Sequence, residues 1–227
     1  MKDLISCAAI DPMTYPEAPP ARHPRFDGAN GQRSGRSTRR LALFLTPRVI
    51  PLMLSFAVAA FSLSVAARAE TTDPQNTLVI ELKSGRVLVK LRPDLAPKHV
   101  VRVKQLARDG FYNGLKFHRV IAGFMAQTGD PTGTGTGNSS YPNLPAEFSS
   151  EVYKRGSVGA ARASDPNSAN SQFFICFGDG CRRLTGSYTL WGEVISGMEH
   201  VDRIATGEPP AQPDIMHKVY LLADAQQ

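Results

Sequence analysis

From Thr77 onward, short apolar runs alternate with turn residues, which predicts many short strands. Thr77–Leu82 (TLVIEL) alternates in part, Lys83-Ser84-Gly85-Arg86 turns the chain, and Val87–Leu91 alternates again. That is the pattern of a β-hairpin. Over Asp94–Arg108 the period changes: Val100, Val103, Leu106 and Ala107 share one helical face, and Lys98, Arg102, Lys104 and Arg108 are polar. Asp94 is the candidate N-cap and Gly110 the stop. Further strands are expected over Leu115–Val120, Phe124–Thr128, Ser157–Ala161, Phe173–Phe177, Thr189–Ile195 and Met216–Ala223, and a second short helix over Glu199–Ile204. Many strands, two helices and no βαβ rhythm indicate a mainly β chain, an antiparallel barrel or sandwich. The loop 129–145, rich in Gly, Thr, Asn, Pro and Ser, is expected to frame a groove.

The N-terminal third reads differently. Residues 1–38 have no apolar periodicity and several prolines and glycines, and are expected to be a disordered extension. Arg39-Arg40 and Arg48 then lead into an uncharged apolar stretch, Val49–Ala67, closed by Ala67-Arg68-Ala69. A positive flank, an apolar centre and small residues at −3 and −1 are the parts of a secretory signal, so 39–69 is read as a signal peptide cleaved after Ala69, in preference to an uncleaved membrane anchor. Residues 70–76 are a polar linker, and 77–227 the folded domain.

This division changes the meaning of the charge. The whole chain carries a formal +6, which by itself invites a nucleic-acid or membrane partner. Residues 1–69 hold 9 basic and 4 acidic residues, whereas 70–227 hold 17 and 16. The domain is therefore nearly neutral and has no basic tract, so no nucleic-acid partner is expected. Membrane contact is expected only through the N-terminal segment if uncleaved, and the domain is expected to be a monomer. Three cysteines cannot build a disulfide scaffold. Cys7 leaves with the presequence, and Cys176, inside an apolar run, reads as a buried small hydrophobe in preference to half of a bridge with Cys181.

Conventional catalytic clusters are missing. No spacing suggests a metal site, and no cofactor is expected. His118, Ser171 and Asp130 could be named as a triad, but no Gly-x-Ser-x-Gly elbow surrounds Ser171. Gly133-Thr134-Gly135-Thr136-Gly137 has the composition of a phosphate loop without the following Lys or a strand-to-helix context. What stands out is Phe117–Asp130 (FHRVIAGFMAQTGD), together with Ser171–Ile175 (SQFFI) preceded by Asp165–Asn170 (DPNSAN). Through these motifs the chain resembles the cyclophilin family of peptidyl-prolyl isomerases, of the bacterial exported, periplasmic type, over about Thr77–Ala223. Glu147-Phe148, Gly156-Ser157-Val158, Leu184, Gly186 and Trp191–Val194 fall in the family's order.

The resemblance implies a closed eight-stranded antiparallel β-barrel capped by two α-helices. It implies isomerisation of X–Pro bonds in proline-containing polypeptides, with a catalytically weak proline-binding chaperone module on the same barrel as the alternative. It makes Arg119 and Gln127 the catalytic pair. Phe124, Met125, Phe174 and Leu184 then form the proline pocket, Gln172 supports the arginine, and Ala161, Arg162 and Tyr188 line the substrate groove. There are departures. Arg183 stands where eukaryotic members carry Trp, Tyr188 where they carry a rim His, and Ala161-Arg162 where they carry Ala-Asn. The indole that bonds cyclosporin in the family is therefore absent.

The residues support the same chemistry. An X–Pro amide turns over a barrier of ~20 kcal/mol, set by resonance, and needs no proton transfer. A catalyst needs an apolar seat for the ring and a cation for the twisted amide. Taken singly, Arg119 reads as a surface ion-pair residue, Phe124, Met125 and Phe174 as core, and His118 as a satisfied structural histidine. Their order and combination favour a site.

Overall fold

The hairpin read from the alternating runs is present: β1 (Thr77–Leu82) pairs antiparallel with β2 (Gly85–Leu91), Leu82 opposite Gly85. The structure is a computed structural model describing residues 72–225, so the readings of 1–38 and 39–69 lie outside the described residues. Residues 74–76, expected within a polar linker, form a 3₁₀ turn capped by Asp73, which accepts from the Gln75 N–H at 2.9 Å. Six more strands follow: β3 (Arg119–Ile121), β4 (Met125–Thr128), β5 (Ser157–Ala160), β6 (Phe173–Cys176), β7 (Leu190–Ser196) and β8 (Lys218–Leu221). They form one antiparallel sheet in the order β3-β4-β6-β5-β7-β2-β1-β8.

The fold is mainly β, a curled half-barrel, but the expected closure is corrected. β3 and β8 stay at the two edges of the sheet. Between them, residues 114–120 meet 205–217 at scattered points. The N–H groups of Gly114 and Phe117 donate to the carbonyls of Met216 and Asp214, and Val120 and Gly207 exchange two bonds. The physical reason is in the second segment, which contains Pro209, Pro210 and Pro213. Proline has no N–H to give to a ladder.

Alternate strand positions build the main core. Leu78 and Ile80 of β1, Val87 and Val89 of β2, Val120, Ala126, Val158, Phe173 and Ile175 are buried together with Trp191. The helix α1 (Pro97–Arg108) lays Val100, Val103, Leu106 and Ala107 on this core, the face its periodicity marked. The second helix, α2 (Met198–Val201), is a single turn, shorter than expected. β4 and β6 are buried at every position. One face meets the main core and the other a second apolar cluster, which is why Phe173-Phe174-Ile175-Cys176 shows no alternation.

The start of α1 also departs from expectation. Asp94 does not cap it: its carboxylate accepts from Arg92 Nε at 2.9 Å and Nη2 at 2.7 Å. The N-cap position is Ala96, with no side-chain cap. Instead Glu147 reaches in from a distant loop, and its two oxygens accept the N–H groups of Lys98 and His99, each at 3.0 Å. A carboxylate at a helix N-terminus satisfies orphan donors and complements the dipole. Oε2 also lies 2.6 Å from His99 Nδ1. Burial pushes the His99 pKa below its ordinary value against the pull of Glu147, so the ring is neutral and donates Nδ1–H to the carboxylate. Burial acts to raise the Glu147 pKa, but hydrogen bonds from His99 and the two N–H groups outweigh it and hold it low.

Both depressed pKa values contribute stability that is present above the unfolded-state values and lost as pH falls. Replacing Glu147 by Ala is expected to cost about 2 kcal/mol at pH 7, a fall of about 5 °C in the melting midpoint. The difference from the parent should begin to shrink as pH falls through the ordinary Glu range, about 4.3, where the unfolded state takes up the proton, and vanish below the depressed value of the folded carboxylate. Thermal melts from pH 3 to 8 measure this, and a difference independent of pH would contradict the assignment.

Candidate active site

Cross-strand register assembles the site. β3 and β4 place Arg119 opposite Gln127 and Ile121 opposite Met125. β4 and β6 place Gln127 opposite Phe174 and Met125 opposite Cys176. Opposed residues share a face. Arg119, Gln127 and Phe174 therefore form one row across three strands, with Ile121, Met125 and Cys176 as the next. Val120, Ala126 and Ile175 occupy the other face, in the main core.

The site face carries the second apolar cluster. Of the residues named from the sequence, Phe124, Met125, Ala161, Phe174 and Leu184 are buried in it, and Tyr188 packs at its margin. The Phe174 ring meets Tyr188 edge-on at 5.9 Å and stacks on Tyr153 at 5.8 Å. Tyr153 was not named from the sequence. Space for it comes from Gly159, which pairs with Phe174 across the strands: a Cβ there would collide with the Tyr153 hydroxyl and the Phe174 ring. Arg162 lies outside the cluster with its guanidinium 4.6 Å from the centre of the Tyr188 ring.

Gln172 sits behind the row as a buried polar group. Its Oε1 accepts from Gln127 Nε2 at 3.0 Å, and its Nε2 donates to the carbonyls of Gly135 and Gly137 at 3.1 and 2.8 Å. This leaves Gln127 Oε1 as the acceptor end of that side chain. The loop bearing Gly135 and Gly137 is the Gly/Thr segment, and it hangs on Asp130. That carboxylate accepts the N–H groups of Thr132, Thr134 and Gly135 at 2.7, 3.0 and 2.6 Å. Burial acts to raise the Asp130 pKa, but hydrogen bonds from the Thr132 hydroxyl and from the backbone of Thr132, Gly137 and Gly135 hold it below the ordinary carboxylate value.

Arg119 is half-buried, and its Nε donates to Glu208 Oε2 at 2.7 Å. Glu208 lies 89 residues further on in a Gly-Glu-Pro-Pro turn, and nothing in the local pattern marks it. His118 departs from expectation. It is buried, but neither ring nitrogen has a hydrogen-bond partner among the described residues, and burial lowers its pKa so that the ring is neutral. Among the described residues no group of three His, Cys, Asp or Glu side chains is placed to hold a metal.

The cysteines correct another expectation. Cys176 is buried, but it is also bridged to Cys181, with Cα atoms 6.0 Å apart. The reason is local: Asp179–Leu184 winds into a 3₁₀ turn that brings Cys181 back against β6. The same turn delivers Leu184 to the apolar cluster and sets the Arg183 guanidinium 4.3 Å from the centre of the Phe124 ring. The bridge therefore anchors one wall of the cluster. As a whole, the arrangement sets a charged donor and a side-chain amide on the same face as an apolar aromatic cluster.

Comparison with known proteins agrees. Residues 77–221 match the family model described as cyclophilin type peptidyl-prolyl cis-trans isomerase/CLD. A protein of Brucella suis biovar 1, named "Probable peptidyl-prolyl cis-trans isomerase", is 50% identical over 186 residues, covering 75% of this chain and 94% of that protein. A peptidyl-prolyl cis-trans isomerase of Helicobacter pylori is 40% identical over 132 residues, covering 57% and 80%. A cyclophilin of Hirschia baltica has a crystal structure similar at TM-score 0.62 and 28% identity, covering 67% and 76%. A cyclophilin type isomerase of Cryptosporidium parvum, crystallised in the presence of the dipeptide Ala-Pro, is similar at TM-score 0.59 and 30% identity, covering 64% and 98%.

The bridge closes a short loop, so its removal is expected to cost about 2 kcal/mol by loop entropy, about 5 °C in the midpoint. Thermal melts of Cys181→Ser should show this fall. A dithiol reductant should lower the parent to the same midpoint and leave the variant unmoved; a variant as stable as the parent would refute the bridge's role.

Proposed function

The chain belongs to the cyclophilin-type peptidyl-prolyl cis-trans isomerases, and from that premise we propose how its site works and where the protein acts. It is an isomerase of X–Pro bonds. The proline ring seats on Phe124, Met125, Phe174 and Leu184. Alongside, Arg119 donates to the substrate: it bonds the carbonyl and meets the amide nitrogen as its lone pair localises during rotation. That interaction is stronger in the twisted transition state than in either planar isomer, which is the condition for acceleration. Gln127, its amide nitrogen committed to Gln172, accepts a substrate backbone N–H through Oε1. Ala161 and Arg162 run beside the substrate backbone, and Tyr188 closes the groove. Glu208 fixes the arginine through Nε. The observation that carries this reading is the row Arg119–Gln127–Phe174 facing the second apolar cluster.

The substrates are exported polypeptides. The segment 39–69 acts as the export signal, cleaved after Ala69, and the domain works in the periplasm as a monomer. The Cys176–Cys181 bridge supports this reading, since disulfides persist in oxidising compartments. Sequencing the N-terminus of the protein isolated from its host tests it. Glu70 is the expected first residue; a membrane-bound chain retaining 39–69 would instead establish the anchored form.

Arg119→Ala is expected to lower kcat/KM on a proline tetrapeptide about 10²- to 10³-fold, with the melting midpoint within about 2 °C of the parent, because the side chain lies outside the core. Near-normal turnover in that variant would overturn the role of Arg119. Absence of turnover in the parent would favour the proline-binding module instead.

A further inference from the structure

Half of the ten arginines in the described domain are ion-paired. Arg86, Arg92, Arg108, Arg119 and Arg155 each bond a carboxylate at 2.6–3.2 Å. Arg102, Arg162, Arg182, Arg183 and Arg203 have no such partner among the described residues. Asp165, the acid three positions from Arg162, accepts instead from the Asn167 N–H at 2.9 Å. Of these, Arg183 and Arg162 sit over rings of the proposed site, Arg183 over Phe124 at 4.3 Å and Arg162 over Tyr188, at the margin of the seat, at 4.6 Å.

Arg162 is held through its side chain, and Arg183 through the turn that carries it. Arg162 Nη1 donates to the carbonyls of Ala163 and Ser164 at 2.8 and 3.2 Å, and Nη2 to that of Ser187 at 3.1 Å. Carbonyls fix the guanidinium without cancelling its charge. Arg183 is carried on the 3₁₀ turn that the Cys176–Cys181 bridge ties to β6. A guanidinium stacked on an aromatic ring is partly desolvated and pre-oriented, so it loses less freedom when it meets an anion. Arg119, the third cation of the site, is already balanced by Glu208. The uncompensated field at the seat is therefore that of Arg162 and Arg183.

We propose that Arg162 and Arg183 are specificity residues that select X–Pro segments carrying an Asp or Glu side chain next to the proline. The inference rests on the isomerase site described above. A substrate carboxylate supplies the counter-ion that the domain itself withholds, and a Lys at the same place is repelled by two fixed cations. Complementary charge of this kind acts on specificity and encounter more than on the chemical step. Its magnitude is that of pairs at a solvent-exposed rim, and it is screened by salt.

The test is exchange NMR on three series of proline peptides that differ only in a Glu, Ala or Lys next to the proline, using the purified full chain. At low ionic strength the catalysed rate is expected to be about fivefold higher for Glu than for Lys, with Ala between, and the ratio should approach one at 1 M salt. Arg183→Gln and Arg162→Gln should each reduce the ratio, and Arg183→Glu should invert it. Arg182→Gln, at the exposed neighbour outside the seat, should keep both the rate and the ratio. Equal rates for Glu and Lys peptides at low salt, with the Ala peptide well catalysed, overturn the proposal and leave the isomerase reading intact. A ratio that persists unchanged in both Gln variants overturns the assignment to these residues. No acceleration of any peptide overturns the isomerase reading and this proposal with it.

Discussion

The side-chain amide of Gln172 holds the site together. It is buried, so each of its polar atoms must be matched inside the protein. Its oxygen takes the Gln127 amide, and its nitrogen takes the carbonyls of Gly135 and Gly137. Those carbonyls belong to a loop wound around Asp130. One residue thus joins the Gly/Thr loop to the strand row containing Arg119. Folding the loop and orienting the proposed catalytic face become the same event, since a half-satisfied buried network costs more than none. Proline isomerisation suits such a site: it asks for fixed groups and an apolar seat and for no moving proton.

The second apolar cluster explains why the sheet is buried on both sides at β4 and β6. A curled sheet with one core would leave the outer face of those strands wet. Here the outer face is roofed by Leu184 and Cys181 from the 3₁₀ turn, by Tyr153, and by Phe124 at the head of β4. The roof is small and rests on few anchors. The disulfide is one of them, and the absence of a side chain at Gly159 is another. Substrate would meet a surface whose shape is set by covalent and steric constraints, which suits a catalyst that must not yield as the amide twists.

What could be read from the sequence was what is local. The β1–β2 hairpin and the apolar face of α1 follow from periods of two and 3.6 residues. The contiguous motifs around Arg119 and Phe174 made the candidate site legible. What escaped depends on partners far apart in the chain. Glu147 caps α1 from 49 residues away, so Asp94 was the natural local choice and the wrong one. Glu208 reaches Arg119 across 89 residues. The Cys176–Cys181 bridge needed a 3₁₀ turn that an apolar run does not announce. The closed barrel failed because a run of prolines, plain in the sequence, sits where the last ladder would have formed.

That broken seam has a further meaning for the site. The sheet between β3 and β8 is joined by isolated bonds, and the segment making them, 205–217, also carries Glu208. Such a segment belongs to the least cooperative region of a fold, where bonds can open singly without unfolding the sheet. The carboxylate that meets Arg119 therefore comes from the seam, whereas Gln127 and Phe174 of the same row sit on strands paired along their length. The row thus takes the counter-ion of its charged member from a segment held by isolated bonds, and its other members from continuous ladders.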